Sequence, residues 1–192
     1  MVRADGGRND LRVLVGAGVI DPELAALVWL LSERGVPLVV GSKERTSAEE
    51  LRRAFVDQIR AAQPARDAVA GGVVVGGSLE DILRVLGGGG EISDETRELG
   101  VVLVIAEGRV SVAHYVRPIE RDAAGHLQRR PPAVLGARNE RTGEVDHFYW
   151  AVTDELATRA GLTRAELETD LEARARLLSG PSAGTGTQNA RH

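Results

Sequence analysis

The chain has 192 residues, which is room for one domain with a small appendage. Hydrophobic residues form 43% of it and charged residues 27%, a composition that argues against wholesale disorder. Aromatic residues form only 3%, so the core must be built from Val, Leu, Ile and Ala. The net charge of −4 argues against broad binding to nucleic acid or to an anionic membrane. The lack of cysteine excludes disulfides, cysteine nucleophiles and thiolate metal sites.

Both ends of the chain are polar and rich in small residues, so residues 1–10 and 179–192 are predicted to be flexible tails. No apolar stretch of signal-peptide length occurs at the N-terminus, and no segment approaches the roughly 18 apolar residues of a membrane span. We therefore expect a cytoplasmic protein without a membrane span.

The first half alternates helix and strand signals. "DPELAALVWLLSERG" has a capping residue, Asp21, and a terminating Gly35, and its apolar middle predicts a buried helix. "VPLVVG" and "AGGVVVGG" are apolar runs typical of strands covered on both faces. Ser78 is expected to cap "LEDILRVL", with a spacing to Asp81 that resembles a capping box. "SDETRELG" predicts one more helix.

The second half of the sequence begins with the residue pattern of β-strands rather than of helices. Two hairpins are predicted, the first turning at Glu107 and Gly108 and the second around Gly143, and the connection "RDAAGHLQRRPP" between them should be exposed. Two closing helices follow, with Thr153 and Thr163 as their expected caps. Within the connection, "HLQRRPP" could contact an anion or an acidic partner, although an exposed linker is the favoured interpretation.

The connection after the first strand, "GSKERTSAEE", is the main candidate site. Phosphate loops of the form G-x-x-x-x-G-K-S/T use glycines to curl backbone N–H groups around phosphates, a lysine to reach the terminal phosphates, and a hydroxyl to bind magnesium. Counting from Gly41 puts Thr46 at the second glycine, Ser47 at the lysine and Ala48 at the hydroxyl. Lys43, the single lysine of the chain, comes too early for the motif.

Two interpretations of this connection follow from the residues alone. The favoured one is an ordinary turn in which Thr46 or Ser47 caps the next helix, whose apolar stripe ends before Pro64. The other is a rearranged phosphate loop. In that case the nucleotide-binding residues would be those of the strand end and the helix start, namely Gly41, Ser42, Lys43, Thr46 and Ser47.

Two further groups of residues are weaker candidates. His114 and His147 lie on predicted strands, and with Asp146 they could form a metal site only if the two hairpins pair, so a structural role is favoured. Phe148 and Trp150 should face one side of a strand and Tyr149 the other. Core packing is the favoured role for these rings, and a subunit contact is the alternative.

Taken together, "GVIDPELAALVWLLSERGVPLVVGS", "SLEDILRVL" and "ELGVVLVIAEGRVSVAHYVRPIERDAAG" resemble the type II/IV secretion ATPases, RecA-like P-loop NTPases that drive pilus assembly and secretion. The resemblance covers roughly residues 11–125. It implies an α/β fold with a reduced P-loop NTPase (RecA-like) core in residues 11–100. An antiparallel β meander and two C-terminal helices in residues 101–178 would pack with that core as one domain.

The departures from the family pattern concern its chemistry. Val75 stands where the family has the histidine of its histidine box, and no apolar run ending in Asp or Glu precedes "GGVVVGG" to supply Walker B. A lysine clamp and a metal together contribute several kcal/mol to phosphoryl transfer, so without them we expect no useful hydrolysis. We therefore assign no catalytic or metal-binding residue.

The resemblance predicts a degenerate, non-hydrolysing protein with an assembly or accessory role. Because the motor relatives work as rings, the expected partners are copies of the chain itself or an intact secretion-type ATPase. The alternative is a nucleotide sensor or weak NTPase that binds ATP, with magnesium, through the rearranged loop around Lys43.

Overall fold

The computed structural model describes residues 10–63, 70–87, 99–121, 124–128 and 130–180. Apart from one or two residues at their inner ends, the two predicted tails and the helix predicted at "SDETRELG" lie outside these ranges. None of the helices in the described ranges has the length and apolar character that a membrane span requires.

The protein has an α/β fold with a six-stranded mixed sheet in the order β2-β1-β3-β4-β7-β8 and a separate pair, β5-β6. The strands are β1 (Leu38–Ser42), β2 (Gly71–Val75), β3 (Val101–Ala106), β4 (Arg109–Tyr115), β5 (Glu120–Arg121), β6 (Leu127–Gln128), β7 (Ala133–Arg138) and β8 (Val145–His147). Strands β2, β1 and β3 are parallel, and β4, β7 and β8 continue the sheet as antiparallel neighbours.

Helices cover both faces of the sheet. They are α1 (Leu11–Gly16), α2 (Pro22–Glu33), α3 (Arg45–Ala62), α4 (Leu79–Leu86), α5 (Thr153–Ala160), which follows a 3-10 turn at Tyr149–Val152, and α6 (Arg164–Ser179). Leu38 and Val40 of β1 join the larger core, which includes residues of α1, α2, α3, α5 and α6. Val39 points to the smaller core on the opposite face, beneath α4.

The predicted helix caps are confirmed at three positions. Asp21 accepts the N–H groups of Glu23 and Leu24 at 2.9 and 3.0 Å, and Gly35 follows the end of α2 with a φ of 93°. Ser78 caps α4 by accepting the N–H of Asp81 at 3.1 Å, and Thr163 forms a capping box with Glu166 at the start of α6. Both predicted hairpins are also present.

The caps predicted at α3 and α5 are wrong. Helix α3 already begins at Arg45, so Thr46 and Ser47 lie inside its first turn. Thr153 is the first residue of α5 rather than its cap, because the 3-10 turn at Tyr149–Val152 runs directly into that helix. The Thr153 hydroxyl donates instead to the carbonyl oxygen of Tyr149 at 3.2 Å.

Two predictions for strands also need correction. The run "AGGVVVGG" does form β2, but only Val74 of this strand is buried. The reason is topological, since β2 pairs with β1 alone and lies at the edge of the sheet. The second hairpin ends at His147, Phe148 is the cap residue that follows it, and Tyr149 and Trp150 are helical rather than extended.

Helix α6 closes the larger core through one arginine. The Arg174 guanidinium lies 4.3 Å from the centre of the Trp29 ring, and its Nη1 donates to Glu33 Oε2 at 2.5 Å. Its Nε donates to Asp170 at 2.9 Å. Gln63, at the end of α3, donates to the other Glu33 oxygen at 3.0 Å. The ends of α2, α3 and α6 are therefore joined at a single carboxylate.

Candidate functional site

The carboxyl ends of the parallel strands lie at one edge of the sheet, which we call the carboxyl edge. Ser42, the last residue of β1, is paired with Val75 of β2 and Ile105 of β3. After β1 the chain passes through α3 to β2 on one side, whereas after β3 it turns to β4 on the other. Ligands of open α/β sheets bind outside the strand ends at such a switch point. Topology therefore makes this edge a candidate site.

The connection from β1 to α3 consists of only two residues, Lys43 and Glu44. The Ser42 hydroxyl accepts the N–H of Glu44 at 3.0 Å, and the Ser42 carbonyl accepts the N–H of Gly76 at 3.0 Å. A phosphate loop needs several consecutive residues whose N–H groups point inward at the ligand. The observed turn is shorter and is hydrogen-bonded within the protein.

The space above Gly41 is filled by Ile82 of α4. A Cβ atom built on Gly41 would lie 2.1 Å from Ile82 Cδ1 and 2.6 Å from its Cγ1, so any side chain at this position would require Ile82 to move. Ile82 is itself fully buried. Gly41 thus allows α4 to pack closely on β1, which is a structural use of the glycine.

Lys43 makes a similar close approach to the connection between β2 and α4. A Cβ built on Gly77 would lie 2.6 Å from Lys43 Cε, so the aliphatic part of the lysine lies across this glycine. The carboxylate of Glu49 is nearby in sequence and accepts from Arg45 Nε at 2.7 Å. The first turns of α3 therefore carry both acidic and basic side chains.

The predicted nucleotide-binding residues are divided by the structure. Gly41, Ser42 and Lys43 lie at the carboxyl edge, while Thr46 is exposed and Ser47 half-buried within the first turn of α3. The cap position of α3, Glu44, makes no side-chain hydrogen bond to the helix. The first N–H groups of α3 therefore have no acceptor from the cap side chain.

Comparison with known proteins does not identify a relative. No protein-family model matches the chain, and a search of curated proteins found no significant match. The relationship to secretion ATPases therefore stays a prediction.

The two histidine strands belong to the same sheet but are not neighbours, because β7 lies between β4 and β8. His114 is paired with Val134, and His147 with Gly136. Burial lowers the pKa of His114. Within the described part of the chain, no group of three or more His, Asp or Glu side chains is arranged to hold a metal ion.

His147 instead contacts the start of α2, a cluster that the sequence prediction missed. Its Nε2 lies 3.2 Å from Asp21 Oδ1, and the Tyr149 hydroxyl donates to Glu23. The hydrogen bond to Asp21 raises the pKa of His147 against the opposing effect of burial, and the charges of Glu23, Asp21 and Asp146 raise it further. The Asp21 cap was visible in the sequence, but its distant histidine partner was not.

Burial and hydrogen bonding act in opposite directions on Asp21. Burial alone would raise its pKa, but the hydrogen bond from His147 and those from the backbone of Leu24 and Glu23 outweigh this effect. The pKa of Asp21 is therefore below its ordinary value of 3.8. The carboxylate is charged wherever His147 titrates.

Two aromatic rings beside β8 are exposed, and we call Phe148 and Trp150 the aromatic surface. Phe148 is 40% exposed and Trp150 67%, whereas Tyr149 packs against the larger core. The indole N–H of Trp150 donates to the His147 carbonyl at 3.2 Å, which restrains the ring. The predicted separation of Tyr149 from the other two rings is observed, although the turn that produces it is helical. Core packing, the favoured role for these rings, is wrong for Phe148 and Trp150, and only Tyr149 packs against the core.

The His147 contact predicts a pH-dependent stability. Because the folded-state pKa of His147 is raised, its contribution is complete below about pH 6.5 and is lost as the pH rises through the folded pKa. We expect His147→Gln to cost about 1 kcal/mol near pH 5 and less near pH 9, measured by urea unfolding.

Asp21→Asn provides the matched background for this experiment. Asparagine caps helices as well as aspartate does but carries no charge, so the pH dependence of the His147→Gln effect should largely disappear there. An equal effect of His147→Gln at both pH values in the wild-type background would contradict the assignment.

Proposed function

We propose that this protein is a degenerate relative of the secretion ATPases, with a reduced RecA-like core, that does not hydrolyse nucleotide and acts in an assembly or accessory role by binding other proteins. The observation that carries the proposal is the packing of Ile82 over Gly41 at the carboxyl edge. In this arrangement Gly41 serves the close contact between β1 and α4, which supports a structural rather than a phosphate-binding use of the glycine.

The chemistry of phosphoryl transfer supports the same conclusion. Catalysis depends on backbone N–H groups, a lysine and a metal placed around the transferred phosphoryl group. The two-residue turn at Lys43 and Glu44 cannot surround a phosphate, and Glu44 adds negative charge beside it. A protein that retains this fold without the chemistry retains its surfaces, and those surfaces are the basis of the proposed role.

The aromatic surface is the proposed contact for partner proteins. Large aromatic rings are favoured at the centres of protein interfaces, and Trp150 is more exposed than any other large hydrophobic residue in the described ranges. Strand β8, which precedes it, is at the edge of the sheet and offers unpaired backbone groups. The partner would be a second copy of this chain or an intact secretion-type ATPase.

Light scattering tests self-assembly through the aromatic surface. We expect the purified protein to form oligomers and Trp150→Arg to be monomeric, because a charge replaces the apolar centre of the contact. Val85→Arg is the control, since Val85 is 59% exposed on α4, on the opposite face of the sheet. A wild-type protein that is monomeric at every concentration and purifies without a partner would contradict the proposal.

The second candidate function is a nucleotide sensor. The observations that favour it are the switch point at the carboxyl edge and the first turn of α3, whose N–H groups lack a side-chain cap. Helix N-termini attract anions, and Lys43 is the adjacent cation. ATP, with magnesium, would then bind outside the edge rather than within a loop.

Thermal unfolding with and without millimolar Mg-ATP separates the two functions. A nucleotide at 100 times its dissociation constant would stabilise the protein by about 2.7 kcal/mol, whereas our leading proposal predicts no shift. The paired variants are Lys43→Ala and, as a control on α6, Arg176→Ala, an exposed arginine paired with Glu172. A shift that only Lys43→Ala abolishes would establish the sensor function instead.

A further inference from the structure

A pocket lies at the edge of the sheet opposite the carboxyl edge, far from Lys43. Tyr115, at the end of β4, is paired with Val101, the first residue of β3, whereas the carboxyl edge is at the other end of β3. The pocket has a volume of about 360 Å³. We call it the arginine pocket, and its principal lining residues are Tyr115, Arg117, Arg130, Glu155 and Arg159.

The lining of this pocket is positively charged in a protein of net charge −4. Its three arginines face two carboxylates, those of Asp154 and Glu155. Arg164 Nη1 lies 3.6 Å from Asp154 Oδ1, so this arginine offsets the negative charge of Asp154 from outside the pocket. The balance therefore favours an anion over a cation as the occupant.

Arg117 is held in a fixed orientation within the pocket wall. Its Nε and Nη2 donate to the two Glu155 oxygens at 2.6 and 3.2 Å, and its Nη1 donates to the Pro131 carbonyl. Glu155 Oε1 also lies 3.8 Å from Arg130 Nη1, so both guanidinium groups are near this one carboxylate. Arg117 is therefore preorganised, because its guanidinium group does not have to be ordered when a ligand binds.

The Tyr115 hydroxyl is an uncharged hydrogen-bond donor among the residues that line the arginine pocket. Burial raises the pKa of Tyr115, the nearby charge of Arg159 lowers it, that of Glu155 raises it, and those of Arg117 and Arg130 lower it. The same three arginines that line the pocket thus act on one phenolic oxygen. The hydroxyl stays protonated at neutral pH and can donate a hydrogen bond to an anion.

We propose that the arginine pocket binds a small phosphate-bearing anion, with Arg117, Arg130 and Arg159 as its cationic contacts and Tyr115 as a hydrogen-bond donor. Guanidinium groups match the oxygens of phosphate in paired hydrogen bonds. The volume falls within the range of small-molecule sites. This binding does not depend on the carboxyl edge, and so it goes beyond the function proposed above.

Calorimetric titration with sodium pyrophosphate at constant ionic strength tests the proposal. We expect one binding site in the wild type and at least tenfold weaker binding when Arg130→Gln and Arg159→Gln are combined. Lys43→Ala and Arg84→Ala, an exposed arginine on α4, should bind as the wild type does. The Lys43 control separates this pocket from a nucleotide site at the carboxyl edge.

A gain of affinity provides a test that misfolding cannot imitate. Asp154→Asn removes a negative charge from the pocket without touching the Glu155 contacts that hold Arg117, so pyrophosphate should bind about twofold more tightly. Tyr115→Phe keeps the buried ring and should weaken binding. No binding beyond that of sodium chloride, weaker binding by Asp154→Asn, or loss of binding in Lys43→Ala would overturn the proposal. Equal affinity for citrate would overturn the preference for phosphate.

Discussion

The packing of Ile82 against Gly41 determines what the carboxyl edge can do. A strand, a turn and a helix are present there in the order that a phosphate loop requires, but the volume above the strand end contains a side chain of α4. Since protein interiors are close-packed, the face of β1 at Gly41 has no room for a further group beside Ile82. The short turn through Lys43 and its position across Gly77 are consistent with this close approach of α4 to β1.

The rest of the fold leaves different chemistry at the two ends of the sheet. At the carboxyl edge, α4 packs closely on β1 and a two-residue turn joins β1 to α3. At the other edge, the end of β4, the connection before β7 and helix α5 bring three arginines and a tyrosine together around an open volume. The aromatic surface lies beside a third boundary, the edge strand β8. The described residues therefore offer three separate surfaces, at the carboxyl edge, at the opposite edge and beside β8.

Local signals in the sequence were sufficient for some elements and not for others. The bounds of α2 could be predicted from Asp21 and Gly35, because caps and terminating glycines act within a few residues. The edge position of β2 could not, since its three valines also suit a central strand and pairing order is a long-range property. The arginine pocket was equally hidden, because residues as distant as Arg117 and Glu155 meet only after the strands and helices pack. For "HLQRRPP", contact with an anion or an acidic partner was the less favoured interpretation, and an exposed linker was the favoured one.

A double-mutant cycle between Gly41 and Ile82 tests the central claim most directly. Gly41→Ala should destabilise the wild type by about 1–3 kcal/mol through overpacking, and should cost much less in an Ile82→Ala background, where the methyl group has room. Gly72→Ala in the neighbouring strand is the control, because a Cβ there meets nothing within 4 Å. A coupling free energy of about 1 kcal/mol or more is the result that the account predicts. Additive effects, within about 0.5 kcal/mol, would contradict it and leave the space above Gly41 open to a ligand.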